Sequence, residues 1–234
     1  MRRKLIAWRA GIAARSPPWA RQAFGPLVDY ADMLFVDHGI FRLVYLNRHR
    51  ISRNAWRSAQ PSPRDLGSMA RMGIKTIVNL RGERDCGAYR LQLVACRRHG
   101  LRLEELIVKS RAPPTRAQVH EAKDLFARIE HPILIHCKSG ADRAGLDSAL
   151  YLIMHDGVPV AQAVLQLSAR YGHFKQADTG IIDAFFQSYL DDTRARPMPF
   201  LQWVDTVYDP EALARKFKAG RWANVIVDKI LRRE

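Results

Sequence analysis

The sequence has few cysteines and no long hydrophobic run. Its three cysteines, Cys86, Cys96 and Cys137, are too few and odd in number for a disulfide framework. We therefore expect a reducing compartment, in which a lone cysteine is either chemically active or packed in the core. No stretch of about 18 apolar residues occurs, so no membrane-spanning helix is expected. The first 26 residues also lack the apolar centre of a secretory signal.

Acidic residues are scarce relative to basic ones. The chain has 38 Lys and Arg against 23 Asp and Glu, a net charge of +15 at pH 7. Such an excess favours anionic partners, namely phosphorylated ligands, nucleic acid or acidic membrane surfaces, and the alternative is a basic protein with no such partner. No nucleic-acid recognition motif or aromatic platform is present, so no nucleic-acid partner is expected. The hydrophobic fraction of 47% is normal for a globular protein with a core.

The chain divides into three predicted segments. Residues 1–48 form a basic, mostly helical N-terminal extension, residues 49–195 the main domain, and residues 196–234 a basic amphipathic C-terminal helical extension. The first 15 residues mix cations with apolar side chains, which is typical of a helix lying on a membrane surface. Residues 53–63 are rich in turn-forming residues and are interpreted as the entrance to the main domain.

Helical and strand patterns alternate through the main domain. The predicted strands are 75–80, 103–108 and 132–136. The predicted helices are 64–72, 86–99, 115–129 with Thr115 as N-cap, 143–155, 158–170, 179–190 and 210–233. Strands separated by helices pair in parallel, so we expect an α/β fold with a central, mostly parallel sheet flanked by helices and extended by helices at both ends.

The loop after the third predicted strand has the composition of an anion site. The strand delivers Cys137 at its carboxyl end, where ligands bind in open α/β sheets. Arg143 then opens a helix whose unpaired N–H groups attract anions. Between them Lys138, Ser139, Gly140, Ala141 and Asp142 must curl so that backbone N–H groups point inward around a phosphate.

This arrangement favours catalysis over packing. The positive field favours a Cys137 thiolate, and the planar guanidinium of Arg143 can hold two phosphoryl oxygens. Alone, Cys137 is more simply a buried structural cysteine and Arg143 a solvated helix residue. Their combination around Gly140, on a strand-to-helix turn, predicts a nucleophile and its anion clamp.

The sequence His136-Cys137-x-x-Gly140-x-x-Arg143 resembles the signature loop of the protein tyrosine phosphatase and dual-specificity phosphatase superfamily. The resemblance spans about residues 49–192. The segments Trp56–Pro61 and Val78–Arg81 are similar to those of the compact atypical dual-specificity group. The resemblance implies the cysteine-phosphatase fold and a phosphocysteine intermediate at Cys137. It also implies that Arg143 and the loop residues 138–142 hold the phosphate, and that neither a metal nor a cofactor is needed.

Two features depart from the family pattern. Relatives usually have Ser or Thr after the arginine, where this chain has Ala144, and slow turnover of the intermediate is one expectation. Many relatives carry an acidic proton donor in the loop equivalent to 109–116, which here holds Lys109, Arg111 and Arg116 but no acid. These three cations are expected near the pocket mouth.

Several assignments stay open on the sequence alone. Asp142 is the candidate general acid, as in lipid-directed relatives similar to the myotubularins; the alternative is that it caps the helix or pairs with a basic neighbour, and these roles can coexist. Lys138 contacts phosphate or is a surface lysine. Gln176 orients water or flanks a helix. Asp124 is expected on a solvated face, and Cys86 and Cys96 either protect Cys137 or pack in the core.

The first functional hypothesis is a phosphomonoesterase acting on a membrane-associated phospholipid or phosphoinositide, because basic and aromatic residues concentrate at both chain ends. The second is a tyrosine or dual-specificity phosphatase acting on phosphoproteins. The third is a catalytically weak phosphate-binding module. A cytoplasmic location is expected, either free or peripheral at the inner face of a membrane, with organelle targeting an alternative in a eukaryote. The sequence does not specify an oligomeric state.

Overall fold

The computed structural model describes residues 18–219 except residue 38. The helices are α1 Pro18–Ala31, α2 Gly39–Val44, α3 Pro63–Arg71, α4 Gly87–Arg98, α5 Arg116–Arg128, α6 Asp142–Met154, α7 Val160–Ala163, α8 Ile181–Asp192, α9 Phe200–Thr206 and α10 210–219. The strands are β1 His49–Arg50, β2 Ala55–Ser58, β3 Thr76–Asn79, β4 Arg102–Glu105 and β5 Ile133–His136. A π-helical turn, Asp32–Val36, joins α1 to α2.

The strands form a single mixed sheet in the order β1-β2-β5-β3-β4. β1 is antiparallel to β2, and the other neighbours are parallel. The expected α/β fold with a mostly parallel, helix-flanked sheet is therefore confirmed. β5 lies between β2 and β3, so the residue that follows it, Cys137, leaves the sheet at its centre.

Side chains alternate across the sheet because successive residues of a strand face opposite sides. Val78, Ile133 and Ile135 belong to the larger core, which packs against α5, α6, α8 and α9. Ile77 and Leu134 face the other side, where they pack with residues of α3 and α4. Both faces of the sheet are thus covered, as parallel sheets require.

Two sequence-based assignments in the main domain were wrong. Residues 53–63 contain an interior strand, β2. Its buried Arg57 made the segment look polar and turn-like in the sequence. Residues 158–170 do not form one helix, because α7 ends at Ala163 and gives way to 3₁₀ turns at Val164–Gln166 and Ala169–Tyr171. The Gln166 carbonyl accepts a hydrogen bond of 2.6 Å from Arg57.

Residues 29–44, here called the N-terminal strap, lie along the main domain. Asp29 pairs with Arg90 of α4 at 3.1 Å, and Asp32 accepts a hydrogen bond from the amide of Gly87. Met33 is buried with Cys86 and neighbouring α4 residues. The predicted helical character of this region is confirmed, while the basic segment 1–15 lies outside the described residues.

The C-terminal residues also join the core. Phe200, Trp203 and Tyr208 are buried with the residues of α8, and Trp203 Nε1 donates to Asp192 at 2.8 Å. The three segment boundaries remain predictions, and residues 220–234 lie outside the described part of the chain. Among the described residues, no helix is both long enough and apolar enough to cross a bilayer.

Candidate active site

The candidate site is the loop between β5 and α6. Cys137 directly follows the fully buried strand β5 and is itself 2% exposed. Asp142 and Arg143 begin α6, whose N-terminal amides face the loop end. The strand, loop and helix expected from sequence are therefore present, with the helix starting one residue earlier than predicted.

The carbonyls of the loop are hydrogen-bonded from outside it. The Lys138 carbonyl accepts a hydrogen bond from the backbone N–H of Gln60 at 3.4 Å. The Ser139 carbonyl accepts one from Asn47 Nδ2 at 3.1 Å. Arg57 donates to the carbonyls of the next two residues, Gly140 at 2.7 Å and Ala141 at 2.9 Å. Because N–H and C=O point in opposite directions across a trans peptide, this turns the loop amides toward the interior of the loop. That is the geometry of an anion nest.

Gly140 permits the curl beside the thiol. Its amide lies 3.2 Å from Cys137 Sγ, and its φ of +76° is a conformation that side chains disfavour. A Cβ at this position would lie 2.5 Å from the amide nitrogen of Ala59. The sequence-based role of Gly140 therefore has two physical causes, backbone conformation and close approach to β2.

A buried chain of hydrogen bonds leads to the backbone carbonyl of Cys137. Gln60 donates to Gln92 at 3.3 Å, Gln92 donates to Nε2 of His136 at 2.7 Å, and His136 Nδ1 lies 3.4 Å from the Cys137 carbonyl. Burial lowers the pKa of His136 to about 3, so the ring is neutral. Gln92 donating to Nε2 places the single ring proton on Nδ1, facing the carbonyl of the cysteine.

Asp37 of the N-terminal strap connects to this chain and to the loop. Its two carboxylate oxygens accept from the two terminal nitrogens of Arg81 at 2.7 and 2.8 Å, and Arg42 donates at 2.9 Å. Lys138 Nζ lies 3.8 Å from the same carboxylate, and Arg81 also donates to Gln60. Burial alone would raise the pKa of Asp37, but Arg81, Arg42 and Lys138 outweigh it and lower the pKa to about 2. Lys138 is thus ion-paired beside the site.

Arg143 and Asp142 have separate partners. Arg143 Nη1 donates to the Leu80 carbonyl, at the carboxyl end of β3, at 3.2 Å. Asp142 Oδ1 lies 2.7 Å from Nδ1 of His173, whose Nε2 lies 2.6 Å from Asp183 of α8. The helix-cap alternative for Asp142 was wrong, since Ala141 holds the N-cap position without a side-chain cap. Asp142 does pair with a basic neighbour, His173, and its role as general acid stays a prediction.

Other predicted residues lie outside this arrangement. Asp124 is exposed as expected, and Gln176 is exposed in a turn. All three cysteines are free, and burial raises the pKa of Cys96 to about 12, which makes it unreactive. Arg116 donates to the carbonyl of Tyr208 at 2.8 Å, and its expected place near the pocket mouth stays a prediction. No cluster of metal-ligating side chains occurs within the described residues.

Sequence reasoning missed the residues that support the loop. Arg57, Asn47, Gln60, Gln92 and Asp37 are all buried polar groups outside the signature. Arg57 and Gln60 lie in the Trp56–Pro61 segment, whose likeness to the atypical group was visible while its structural role was not.

A protein-family model described as "DSP-PTPase phosphatase fused to NAD+ Kinase" matches residues 45–182. That range is more than half of the chain and contains the whole signature loop. The chain belongs to this DSP-PTPase family. The matched range also includes Asn47, Arg57, Gln60 and Gln92, the buried residues that hold the loop.

The chain is also similar to curated proteins and to solved structures. The dual specificity protein phosphatase TpbA of Pseudomonas aeruginosa strain UCBPP-PA14 is 29% identical over 169 residues, which are 71% of this chain and 64% of that protein. The chain thus spans slightly less than two thirds of this relative. The crystal structure of P. aeruginosa TpbA aligns with 22% identity and a TM-score of 0.49 over 65% of this chain and 91% of that one. The crystal structure of PTPMT1 aligns with 15% identity and a TM-score of 0.45 over 64% and 99%.

Replacing Gly140 by Ala should collapse the loop. The added Cβ meets the Ala59 amide and Ser58 carbonyl carbon at 2.5 and 2.7 Å, so β2 or the loop must move. We expect the affinity for inorganic phosphate, measured by calorimetry, to fall at least about 10-fold, since the amides lose their common direction.

Gly157→Ala is the matched control. Gly157 has a similar φ of +69° but no atom within 4 Å of the added Cβ, so it carries the conformational cost alone. A Gly140→Ala protein that binds phosphate as well as Gly157→Ala would contradict the proposed loop geometry.

Replacing Asp37 by Asn should destabilise the whole protein. Arg81 and Arg42 would keep their charges without a buried counter-ion, a change that costs about 3–5 kcal/mol of unfolding free energy. Because the pKa of Asp37 is lowered from 3.8 to about 2, wild type should hold this stability above about pH 4 and lose it as the pH falls toward 2.

Urea unfolding followed by circular dichroism measures both effects. Asp29→Asn, which breaks a more exposed pair of the same strap, serves as the control and should cost about 1 kcal/mol or less. Equal urea midpoints for Asp37→Asn and wild type would show that the cluster contributes nothing to stability.

Proposed function

We propose that this chain is a cysteine-dependent phosphomonoester hydrolase that works through a phosphocysteine at Cys137. The observation that carries the proposal is the orientation of the loop: its carbonyls at residues 138–141 are bound from outside while the Gly140 amide faces the Cys137 sulfur. A phosphoryl group in this cradle meets amide donors on one side and the thiolate below it.

The first chemical step transfers the phosphoryl group to sulfur. The Cys137 thiolate attacks phosphorus, an S–P bond forms, and the bond to the leaving oxygen breaks in line with it. The loop amides and the Arg143 guanidinium stabilise the equatorial oxygens. The leaving oxygen takes a proton from the general acid, for which Asp142 is the candidate.

The second step releases inorganic phosphate. A water molecule attacks phosphorus, the S–P bond breaks, and the electron pair returns to sulfur as the thiolate. The proton lost by water goes to the group that donated in the first step. Ala144, fully buried after Arg143, offers no hydroxyl to this step.

For the substrate we propose a phosphomonoester of a membrane-associated lipid. In addition to the net charge of +15, the segment 27–45 exposes Leu27, Phe35, Leu43, Val44 and Tyr45, with Phe35 at 68% and Val44 at 90%. Asp37 lies in this segment and pairs with Lys138, so the exposed apolar residues are continuous in sequence with a contact to the active-site loop. An anionic bilayer at the inner face of a membrane matches both features.

A phosphoprotein substrate is the alternative. It is favoured by the relatedness to TpbA, which is described as a dual specificity protein phosphatase. The third reading, a weak phosphate-binding module, derives from Ala144 and from the loop 109–116 without an acid.

Cys137→Ser should separate the enzyme from a binding module. We expect hydrolysis of para-nitrophenyl phosphate to fall at least about 10³-fold, because the serine hydroxyl is a far weaker nucleophile than a thiolate. Binding of inorganic phosphate, measured by calorimetry, should persist since the amides remain.

The control is Cys86→Ser, which changes a cysteine that is buried against Met33 of the N-terminal strap. It should keep its hydrolytic rate within about 3-fold of wild type. A Cys137→Ser protein as active as wild type would reject the phosphocysteine mechanism.

The double variant Phe35→Ser/Val44→Ser should test the membrane proposal. Burying either apolar side chain in a bilayer contributes about 1.5 kcal/mol or more to binding, and serine removes that contribution. The affinity for phosphatidylserine vesicles, measured by sedimentation, should therefore fall at least about 10-fold. The rate on soluble para-nitrophenyl phosphate should remain that of wild type.

Val207→Ser supplies the matched control, since Val207 is exposed on a different part of the molecule. It should sediment like wild type. If wild type does not sediment with anionic vesicles, or if all variants bind equally, the lipid proposal fails and the phosphoprotein alternative gains.

A further inference from the structure

His173 is held between two carboxylates. Its ring is 2% exposed, with Nδ1 2.7 Å from Asp142 and Nε2 2.6 Å from Asp183. A neutral imidazole has one N–H, so its other nitrogen would direct a lone pair at a carboxylate oxygen. The geometry therefore favours an N–H at both positions, which is the imidazolium.

The electrostatics of the surrounding helices agree with this protonation state. Asp142 lies in the first turn of α6 and Asp183 in the first turn of α8, near the positive ends of the two helix dipoles. Among the described residues, these two carboxylates are the charged groups that face the ring. Burial alone would lower the pKa of His173, but its hydrogen bonds and ion pairs with Asp142 and Asp183 raise it to about 9.

This arrangement meets a requirement of the proposed reaction. A lone aspartate is ionised near neutral pH and has no proton to give to a leaving oxygen. The loop 109–116 contains no acid that could take its place. The imidazolium of His173, bonded to Asp142, does carry a proton at that pH.

We propose that Asp142 and His173 act as one proton donor, in which Asp142 passes to the leaving oxygen a proton that His173 replaces from Nδ1. The inference rests on the proposed function. Asp142 is the catalytic residue of the pair, and His173 and Asp183 are positioning residues that keep a proton available.

The enzyme neither gains nor loses a proton over one catalytic cycle. As the bond between phosphorus and the leaving oxygen breaks, that oxygen gains a proton through Asp142 and the His173 ring becomes neutral at Nδ1. When water attacks the phosphocysteine, its proton returns through Asp142 to Nδ1, which restores the imidazolium. Asp183 keeps its hydrogen bond to Nε2 throughout.

The test compares two aryl phosphates over a range of pH. Phenyl phosphate has a poor leaving group and para-nitrophenyl phosphate a good one, so only the first depends strongly on a proton donor. His173→Gln should lower kcat/KM about 100-fold on phenyl phosphate and at most about 3-fold on para-nitrophenyl phosphate. Asp142→Asn should show the same selectivity.

The pH profile supplies a readout that a structural role would not move. Wild-type kcat/KM on phenyl phosphate should fall as the pH rises through about 9, the pKa of His173. Asp183→Asn keeps a hydrogen-bonding group but removes one negative charge beside His173. The alkaline limb, the fall of kcat/KM at high pH, should therefore shift to lower pH by about 1 unit. This variant also serves where His173→Gln fails to fold.

His120→Gln is the matched control, because His120 forms a similar pair with Asp205 at 2.6 Å on the surface. This variant should change neither kcat/KM on the two substrates nor the pH at which kcat/KM on phenyl phosphate falls. Equal losses on both substrates in His173→Gln, or an unmoved limb in Asp183→Asn, would overturn the relay while leaving a Cys137-dependent enzyme. If wild type shows no Cys137-dependent hydrolysis at all, the proposed function falls first and this inference with it.

Discussion

The candidate site depends on the direction of a few peptide planes. A loop that presents N–H groups inward must turn its carbonyls outward, where each one needs a donor because buried carbonyls without partners are costly. Arg57 satisfies two of them, and Asn47 and the Gln60 amide satisfy two more. The anion nest is therefore built from the outside, by residues that never meet the phosphate. This explains why β2, which carries a buried arginine, lies beside β5 in the interior of the sheet.

Charge around the loop is unevenly compensated. Asp37 forms ion pairs with Arg81 and Arg42 and lies near Lys138, whereas Arg57 donates to carbonyls and to the Gln166 side chain. Burial lowers the pKa of Arg57 to about 10, and the nearby Cys137 opposes that shift. Among the described residues no carboxylate is hydrogen-bonded to Arg57, so its guanidinium adds positive charge beside the loop, which favours a bound phosphate dianion.

The elements that could be predicted from sequence are those with a local signal. β3 and β5 are short apolar runs, and the N-cap of α5 follows from Thr115 with Gln118 three residues later. Cys137, Gly140 and Arg143 share one short loop, so their spacing suffices. The supporting residues carry no such signal, because Asn47 and Ser139 are 92 positions apart and Asp142 and His173 are 31 apart. Only the folded chain brings them together, and a buried Arg57 contradicts the pattern by which strands are recognised.

The loop 109–116 now has a physical explanation for lacking an acid. The Pro114 carbonyl accepts from the Tyr208 hydroxyl at 2.7 Å, and Arg116 binds the Tyr208 carbonyl, so the C-terminal region holds the end of this loop. A segment fixed in this way is poorly suited to moving an acid onto a substrate. Asp142 sits instead inside the signature loop, at the start of a helix and against a buried histidine. In the proposed mechanism, a donor fixed at the start of α6 therefore takes the place of one carried by a mobile loop.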